Sequence, residues 1–281
     1  MRNNITIPKV SVIMGIYNCA NTLPKAIDSI LAQTFTDWEL IMCDDGSTDN
    51  TCEIAERYAD QYSNIIVLKN DKNMKLIYTL NRCLNHARGM YIARHDGDDE
   101  SLPERFQKQV EFLDQHPEYA IVSCARYHFD INGIWGLTKG IEYPEKHHFS
   151  KGTPLGHASA IVRREAFEAV DGYTDEKRFL RVEDYWLWAK MYALGYKGCN
   201  LQEPLYLVLD DRNSISRRNF KARWNEFYVK NLIIGMLKLP FYSRTLTLKP
   251  LILWCLPIGL YKRLHKKRLA LSSHPEQTNM K

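Results

Sequence analysis

Apolar positions follow two alternating rhythms along the first hundred residues. The run "VSVIMGIYN" (10–18) is nearly continuous and rich in β-branched residues, the pattern of a strand covered on both faces. "TLPKAIDSILAQTF" (22–35) instead places Leu23, Ile27, Ile30 and Leu31 on one face at helical spacing, with Asn21 or Thr22 as the cap and Pro24 in the first turn. The alternation continues with "WELIMC" (38–43) as strand, "STDNTCEIAERYADQY" (47–62) as capped helix and "IIVLKN" (65–70) as strand. "LIYTLNRCLNHARG" (76–89) then reads as a helix ending at Gly89, and "MYIARHD" (90–96) as a fourth strand. Four strands joined by three helices predict an α/β fold with parallel pairing and right-handed crossovers.

The rhythm changes after an amphipathic helix over "PERFQKQVEFLDQHP" (103–117), opened by Pro103. "AIVSCARYHF" (120–129) reads as a strand, 130–157 as a long polar and aromatic connection, and "ASAIVRREAFEAVDGY" (158–173) as a strand then a short helix. "VEDYWLWAKMYALG" (182–195) is a helix stopped by Gly195. This half is expected to complete the sheet and wall a cleft, with the long connection as a lid or binding loop.

At 281 residues and 45% hydrophobic content, the chain suits one large α/β domain with an appendage. Its seven cysteines are odd in number, scattered and never spaced C-x-x-C, which points to a reducing cytosolic compartment. The opening "MRNNITIPKV" has no apolar core, so no signal peptide is expected. Charge is lopsided: residues 217–281 carry 14 Lys and Arg against Glu226 and Glu276, a net of +12, which leaves the first 216 residues at −7. Within that tail the apolar run 251–261 is 11 residues long, whereas a spanning helix needs roughly 20. Followed by Lys262, Arg263, Lys266, Lys267 and Arg268, it suits a segment lying in the headgroup region of an anionic membrane. The competing reading is a C-terminal helix packed on the body with a solvated basic end. No aromatic-plus-basic module of the RNA or DNA type is visible, so no nucleic-acid partner is expected.

In open parallel sheets ligands bind beyond the carboxyl ends of the strands, and both acidic clusters fall there. "DDGSTD" (44–49) follows the second strand and "DGDD" (96–99) the fourth. Isolated acids at loop starts are usually turn formers or helix caps, the role expected of Ser47, Thr48 and Asp49. The carboxylates around Gly97 raise a harder question. Two unit charges about 5 Å apart repel by about 3 kcal/mol at an effective dielectric near 20, so the cluster must be solvated, partly protonated or neutralised by a cation. The sequence has neither G-x-G-x-x-G nor G-x-x-x-x-G-K-[ST], so the glycine cradles for phosphate are missing. A diphosphate at this acidic rim would need a bridging Mg2+ or Mn2+ on Asp96 or Asp98.

In their order and spacing, "VSVIMGIYN", "WELIMCDDGSTDNT", "YIARHDGDDESLPERFQKQVEFL" and "VEDYWLWAKM" resemble family 2 of the inverting nucleotide-sugar glycosyltransferases, over residues 9–209. The resemblance implies a Rossmann-like A-type glycosyltransferase (GT-A) fold, with a mostly parallel central sheet flanked by helices. A nucleotide-binding half (1–102) and an acceptor-binding half (103–216) would form the catalytic domain, followed by a helical, membrane-associating tail (217–281). It also implies a metal-dependent enzyme, hexosyl- or N-acetylhexosaminyltransferase in class, moving a sugar from a UDP-sugar to a glycan or lipid-linked acceptor. Its expected setting is surface polysaccharide assembly, peripherally on the cytoplasmic membrane face.

By the same resemblance, Tyr17 stacks on the base and Asp45 accepts a hydrogen bond from a uracil imide N–H, with Gly15, Asn18, Asn73 and Gly97 in the nucleotide-sugar site. Asp98 is the direct metal ligand and Asp96 lies nearer the ribose. Arg94 either contacts the nucleotide, orients a carboxylate or forms an ordinary strand-end ion pair. Asp184 holds the place of the catalytic base, whose carboxylate must come within about 3 Å of the acceptor hydroxyl; Glu183, His157 and Trp186 fall on the acceptor side. Taken alone, Glu183 and Asp184 read as acids decorating a helix N-terminus, His157 as a structural histidine, and Trp186 and Trp188 as divided between core and cleft. The sequence departs from the family pattern at Lys75, where a glycine is usual, and at Gly15, where some relatives have a hydroxyl residue. Two rival readings are a Mg2+-dependent phosphoacceptor α/β protein, which needs an aspartate that "MGIYN" does not offer, and a non-catalytic sugar- or membrane-binding protein on the same fold.

Overall fold

A computed structural model describes residues 7–210, 220–257, 259, 260 and 264. The alternation read from the first hundred positions is realised as β1 (Val10–Ile16), α1 (Leu23–Leu31), β2 (Trp38–Asp44), α2 (Thr51–Gln61), β3 (Ile65–Lys69), α3 (Leu76–His86) and β4 (Tyr91–Arg94). These four strands pair in parallel in the order β3-β2-β1-β4. The chain winds outward from β1 to β3 and then returns to the other side of β1. The gap between β1 and β4 is therefore the topological switch point, where the loops at the carboxyl ends diverge and leave a crevice.

The second half is built from β5 (Glu100–Ser101), α4 (Arg105–Gln115), β6 (Ile121–Asp130), β7 (Gly133–Thr138), β8 (Ile161–Arg163), α5 (Arg164–Glu168), α6 (Glu183–Ala193) and β9 (Gly198–Leu209). It extends the sheet through β8-β6-β9-β5, with β7 pairing the later part of β6, beyond its short pairing with β8. β8 runs antiparallel to both β4 and β6, while β6 and β9 are parallel to each other. The reversed strand β8 joins the two halves into one continuous sheet. The connection 130–157 differs from expectation, because its start turns back as the β6–β7 hairpin and its middle forms a 3-10 turn over Lys146–Ser150.

Successive β1 residues point to opposite faces, and the apolar contacts divide accordingly. Val10, Val12 and Met14 pack with α1, α2 and α4 on one side, whereas Ile13 joins α3, α5 and α6 on the other. The helix α7 (Phe220–Met236) contributes Val229 and Ile233 to that second layer, and burial of such side chains is worth about 1.5–3 kcal/mol each. A 3-10 turn over Phe241–Leu248 and α8 (Lys249–Cys255) follow. No helix among the described residues is long and apolar enough to cross a membrane. Lys262, Arg263, Lys266, Lys267 and Arg268 lie outside the described residues.

Candidate active site

The loops after β1 and β2 are latched to each other at the crevice. Asn18, at φ 48°, donates its backbone N–H to Ser47 Oγ (3.0 Å) and accepts the Thr48 N–H on Oδ1 (2.8 Å). Tyr17 beside it is 46% exposed, so its ring is available to a flat partner. Gly15 packs under α3, where a Cβ would come 3.1 Å from both Leu76 Cδ1 and Thr79 Cγ2. Capping of α2 differs from expectation. Asp49 does accept the Thr51 N–H (3.1 Å), but Ser47 turns back to Asp44 and Thr48 binds Asn18. At α1, Thr22 takes the N-cap position without capping and donates its hydroxyl to the carbonyls of Cys19 and Gly97.

Asp45 is buried, and its carboxylate accepts hydrogen bonds from Asn70 Nδ2 (2.7 Å) and the backbone N–H groups of Met74 (2.7 Å) and Lys75 (2.9 Å). It thus clamps the 71–75 loop, in which Asn73 Oδ1 also accepts the Lys75 N–H (3.2 Å). Three of roughly four acceptor positions are used in this way. The clamp holds Lys75 at φ 78° and ψ 159°, a region populated essentially by glycine. That geometry supplies a physical reason for a glycine to be usual there.

The acidic turn after β4 answers its own repulsion in three different ways. Asp96 ion-pairs with Arg94, whose guanidinium also donates to the His95 carbonyl. Arg94 is buried, and although burial disfavours its charge, Asp96 together with Tyr173 and Tyr206 more than offsets that. Asp99 is buried and accepts the Leu209 N–H (2.8 Å); burial, then the charges of Asp96 and Asp98, raise its pKa well above the usual carboxylate value. Asp98 is exposed. The turn is tight because Gly97 lies against the β1 loop, where a Cβ would meet Cys19 Sγ at 3.1 Å and Ile16 Cγ2 at 3.2 Å. Ile16 in turn accepts the Asp45 N–H through its carbonyl (2.9 Å). The two acidic clusters therefore flank the end of β1, as the sequence predicts.

Reversal of β8 brings the second half of the chain to this rim. Because β8 runs against β4, the residues entering β8 lie where β4 leaves, and the Arg94 N–H donates to the Ala160 carbonyl (2.9 Å). His157, three residues earlier, bonds through Nε2 to the Tyr173 hydroxyl (2.7 Å). Burial, followed by the Arg94 charge, holds its pKa well below the ordinary imidazole value, so it is neutral at physiological pH. His157 lines a cavity of about 280 Å3 with Glu183 and Asp184 at the start of α6, Arg181 before it, and Ala222, Arg223 and Glu226 of α7. Burial, and then the Asp184 charge, push Glu183 up to about 7. Arg94, Glu183, Asp184 and Asp96 all act electrostatically on the Tyr173 hydroxyl, which bonds to His157 of the cavity wall.

Trp186 is not among the cavity residues; it stacks on Phe179 at 4.9 Å and donates its indole N–H to Thr174 Oγ1 (3.0 Å). Trp188 is buried in the core with an edge toward His157. Sequence reasoning missed Tyr173, Arg181, Arg223 and Glu226. Tyr173 ends the "VDGY" turn without a motif around it, and the α7 pair sits in the stretch read as tail.

The acidic turn is compatible with a hard divalent cation. Asp98 is an exposed acidic residue, and Mg2+ or Mn2+ characteristically takes one or two carboxylates with the remaining positions filled by phosphate and water. No group of three or more His, Cys, Asp or Glu side chains able to hold a metal occurs among the described residues.

The family model described as Glycosyl transferase family 2 matches residues 11–171. "Putative glycosyltransferase EpsE" of Bacillus subtilis (strain 168) is 43% identical over 263 residues, 93% of this chain and 95% of EpsE. The Escherichia coli "UDP-Glc:alpha-D-GlcNAc-diphosphoundecaprenol beta-1,3-glucosyltransferase WfaP" is 31% identical over 219 residues, 75% of this chain and 81% of WfaP. Among solved structures, S. aureus TarS 1-349 in complex with UDP superposes with a TM-score of 0.65 at 18% identity, covering 88% of this chain and 70% of that one. This likeness fixes the GT-A fold. With more than half of its length matched by the family model, this chain belongs to glycosyl transferase family 2 and is a glycosyltransferase.

Proposed function

We propose that this glycosyltransferase moves a sugar from a UDP-sugar to a hydroxyl of a glycan or lipid-linked acceptor, with inversion at the anomeric carbon. The observation that carries the reading is the cavity holding Asp184, Glu183 and His157 beside the acidic turn of Arg94 to Asp98. In this reading Tyr17 stacks on the uracil and the remaining Asp45 acceptor position takes its imide N–H. Arg94 orients Asp96 toward the ribose. Asp98, with Asp96, would hold Mn2+ or Mg2+, which when bound neutralises the departing diphosphate.

Asp184 accepts the proton of the acceptor hydroxyl as it attacks, which requires its carboxylate within about 3 Å of that oxygen. Glu183, half-protonated near neutrality, donates a hydrogen bond to the acceptor, and neutral His157 fixes its orientation. Trp186, whose ring stacks on Phe179, serves the acceptor side by bracing α6 rather than by touching the sugar. The donor named for WfaP and its diphosphoundecaprenol-linked acceptor support a UDP-sugar and a lipid-linked acceptor here, in surface polysaccharide assembly. The basic C-terminal segment supports peripheral attachment to the cytoplasmic face of an anionic membrane.

The test is UDP release across a panel of UDP-sugars with Mn2+ or Mg2+ and a lipid-linked acceptor. Turnover by the wild-type chain that Asp184→Asn lowers by about 10^2–10^4-fold is expected. An Asp184→Asn variant as fast as wild type would overturn the assignment.

A further inference from the structure

Large apolar side chains of the C-terminal region are left at the surface. Phe220 and Trp224 of α7, Phe241 and Tyr242 of the following 3-10 turn, and Ile252 and Trp254 of α8 are each between 47 and 80% exposed. Phe220 packs edge-on against Trp254 at 4.9 Å and lies 6.1 Å from Trp224, so the two helices share one aromatic ridge. Lys238, Arg244 and Lys249 are exposed around it, and Arg244 lies over the Phe241 ring at 5.5 Å. The sequence has no Asp or Glu from 227 to 275. The opposite side of α7 faces inward: Val229 and Ile233 enter the core, and Arg223 and Glu226 line the Asp184 cavity.

We propose that this folded face docks on an anionic lipid bilayer, and that α7 thereby seats the Asp184 cavity at headgroup level. Indole and phenol rings with wet edges suit the water–hydrocarbon boundary, and the surrounding cations suit anionic headgroups. Charge argues against a second copy as occupant, because two faces of the same strongly basic region repel. Docking involves α7 and the 3-10 turn, not only the apolar run at 251–261. The inference rests on the proposed function solely for why the cavity should meet a membrane-borne acceptor.

Co-sedimentation of the full chain with vesicles tests it. The wild-type chain is expected to partition at least tenfold more strongly onto phosphatidylcholine vesicles containing about 30 mol% phosphatidylglycerol than onto phosphatidylcholine alone, and to be released by salt. Phe241→Ser/Tyr242→Ser and Trp254→Ser should each lose about tenfold in partitioning while UDP release with a water-soluble acceptor stays unchanged. Brominated lipids should quench the wild-type tryptophan fluorescence, less so in Trp254→Phe; this second reading does not depend on the serine variants folding. Wild-type protein that neither sediments nor is quenched would overturn the proposal. So would dimers seen by light scattering and broken by the same substitutions, which would assign the face to a second copy. Partitioning without any UDP release would instead overturn the enzymatic reading and leave the docking intact.

Discussion

Replacing Lys75 with glycine tests the account of the rim most directly. Lys75 is pinned at φ 78° and ψ 159° because its N–H donates to Asp45 Oδ2, and its side chain plays no part in that bond. A non-glycine residue in this region costs on the order of 1–3 kcal/mol. Glycine removes that cost but has a more disordered unfolded state, a penalty of roughly 0.5–1 kcal/mol. The balance predicts that Lys75→Gly stabilises the protein by about 1 kcal/mol, which for a domain of this size raises Tm by roughly 2–4 °C. Lys75→Ala serves as the control, because alanine keeps a Cβ at the same φ and gains nothing. Thermal unfolding followed by circular dichroism, cross-checked by urea titration, reads all three chains. A Lys75→Gly protein with unchanged or lower Tm, or an alanine variant that gains as much, would refute the strain argument.

Other outcomes follow from the site. Asp98→Ala should abolish divalent-metal-dependent turnover, and Asp184→Asn should lower turnover by about 10^2–10^4-fold while leaving UDP affinity intact, measured by calorimetry; equal loss of UDP binding in Asp184→Asn would misplace the base. Glu183 holds its proton more tightly folded than unfolded, so its contribution to stability is full below about 4.5 and lost as pH rises through about 7. Wild type should therefore lose roughly 1–3 kcal/mol relative to Glu183→Gln between pH 4 and pH 8; parallel melting curves across that range would contradict it. Tyr173→Phe strips His157 Nε2 of its partner, and is expected to destabilise by about 1–2 kcal/mol and to lower turnover more than UDP affinity.

Much of this molecule is legible in the order of its residues, and the illegible parts have physical reasons. The first four strands read clearly because β1, β2 and β4 are buried almost throughout, so apolar continuity survives every position. β9 does not read that way: Gln202, Glu203 and Pro204 interrupt it where its pairing with β6 shifts register. The β6–β7 hairpin had a signal in Asn132–Gly133, an Asn-Gly pair with the glycine at φ 100°, hidden inside a stretch read whole as connection. Strand counting alone puts the acidic clusters on one rim, since parallel winding sends every carboxyl end the same way. Spacing could not show that α7 walls the cavity, because Arg223 and Glu226 reach it only through packing of Val229 and Ile233. Nor could it divide labour among the acids, which depends on Arg94 being buried beneath them.

The reversed strand β8 has a mechanical consequence. Domains that close like jaws need a flexible seam between separately folded lobes, and here one continuous hydrogen-bonded sheet runs from β3, β2 and β1, through β4 and β8, to β6 and β9. The two halves of the chain are thus cast as one plate. Whatever motion shields the reaction from water must come from segments draped over that plate, and a change of sugar preference can be reached by rebuilding those segments while the plate stays as it is.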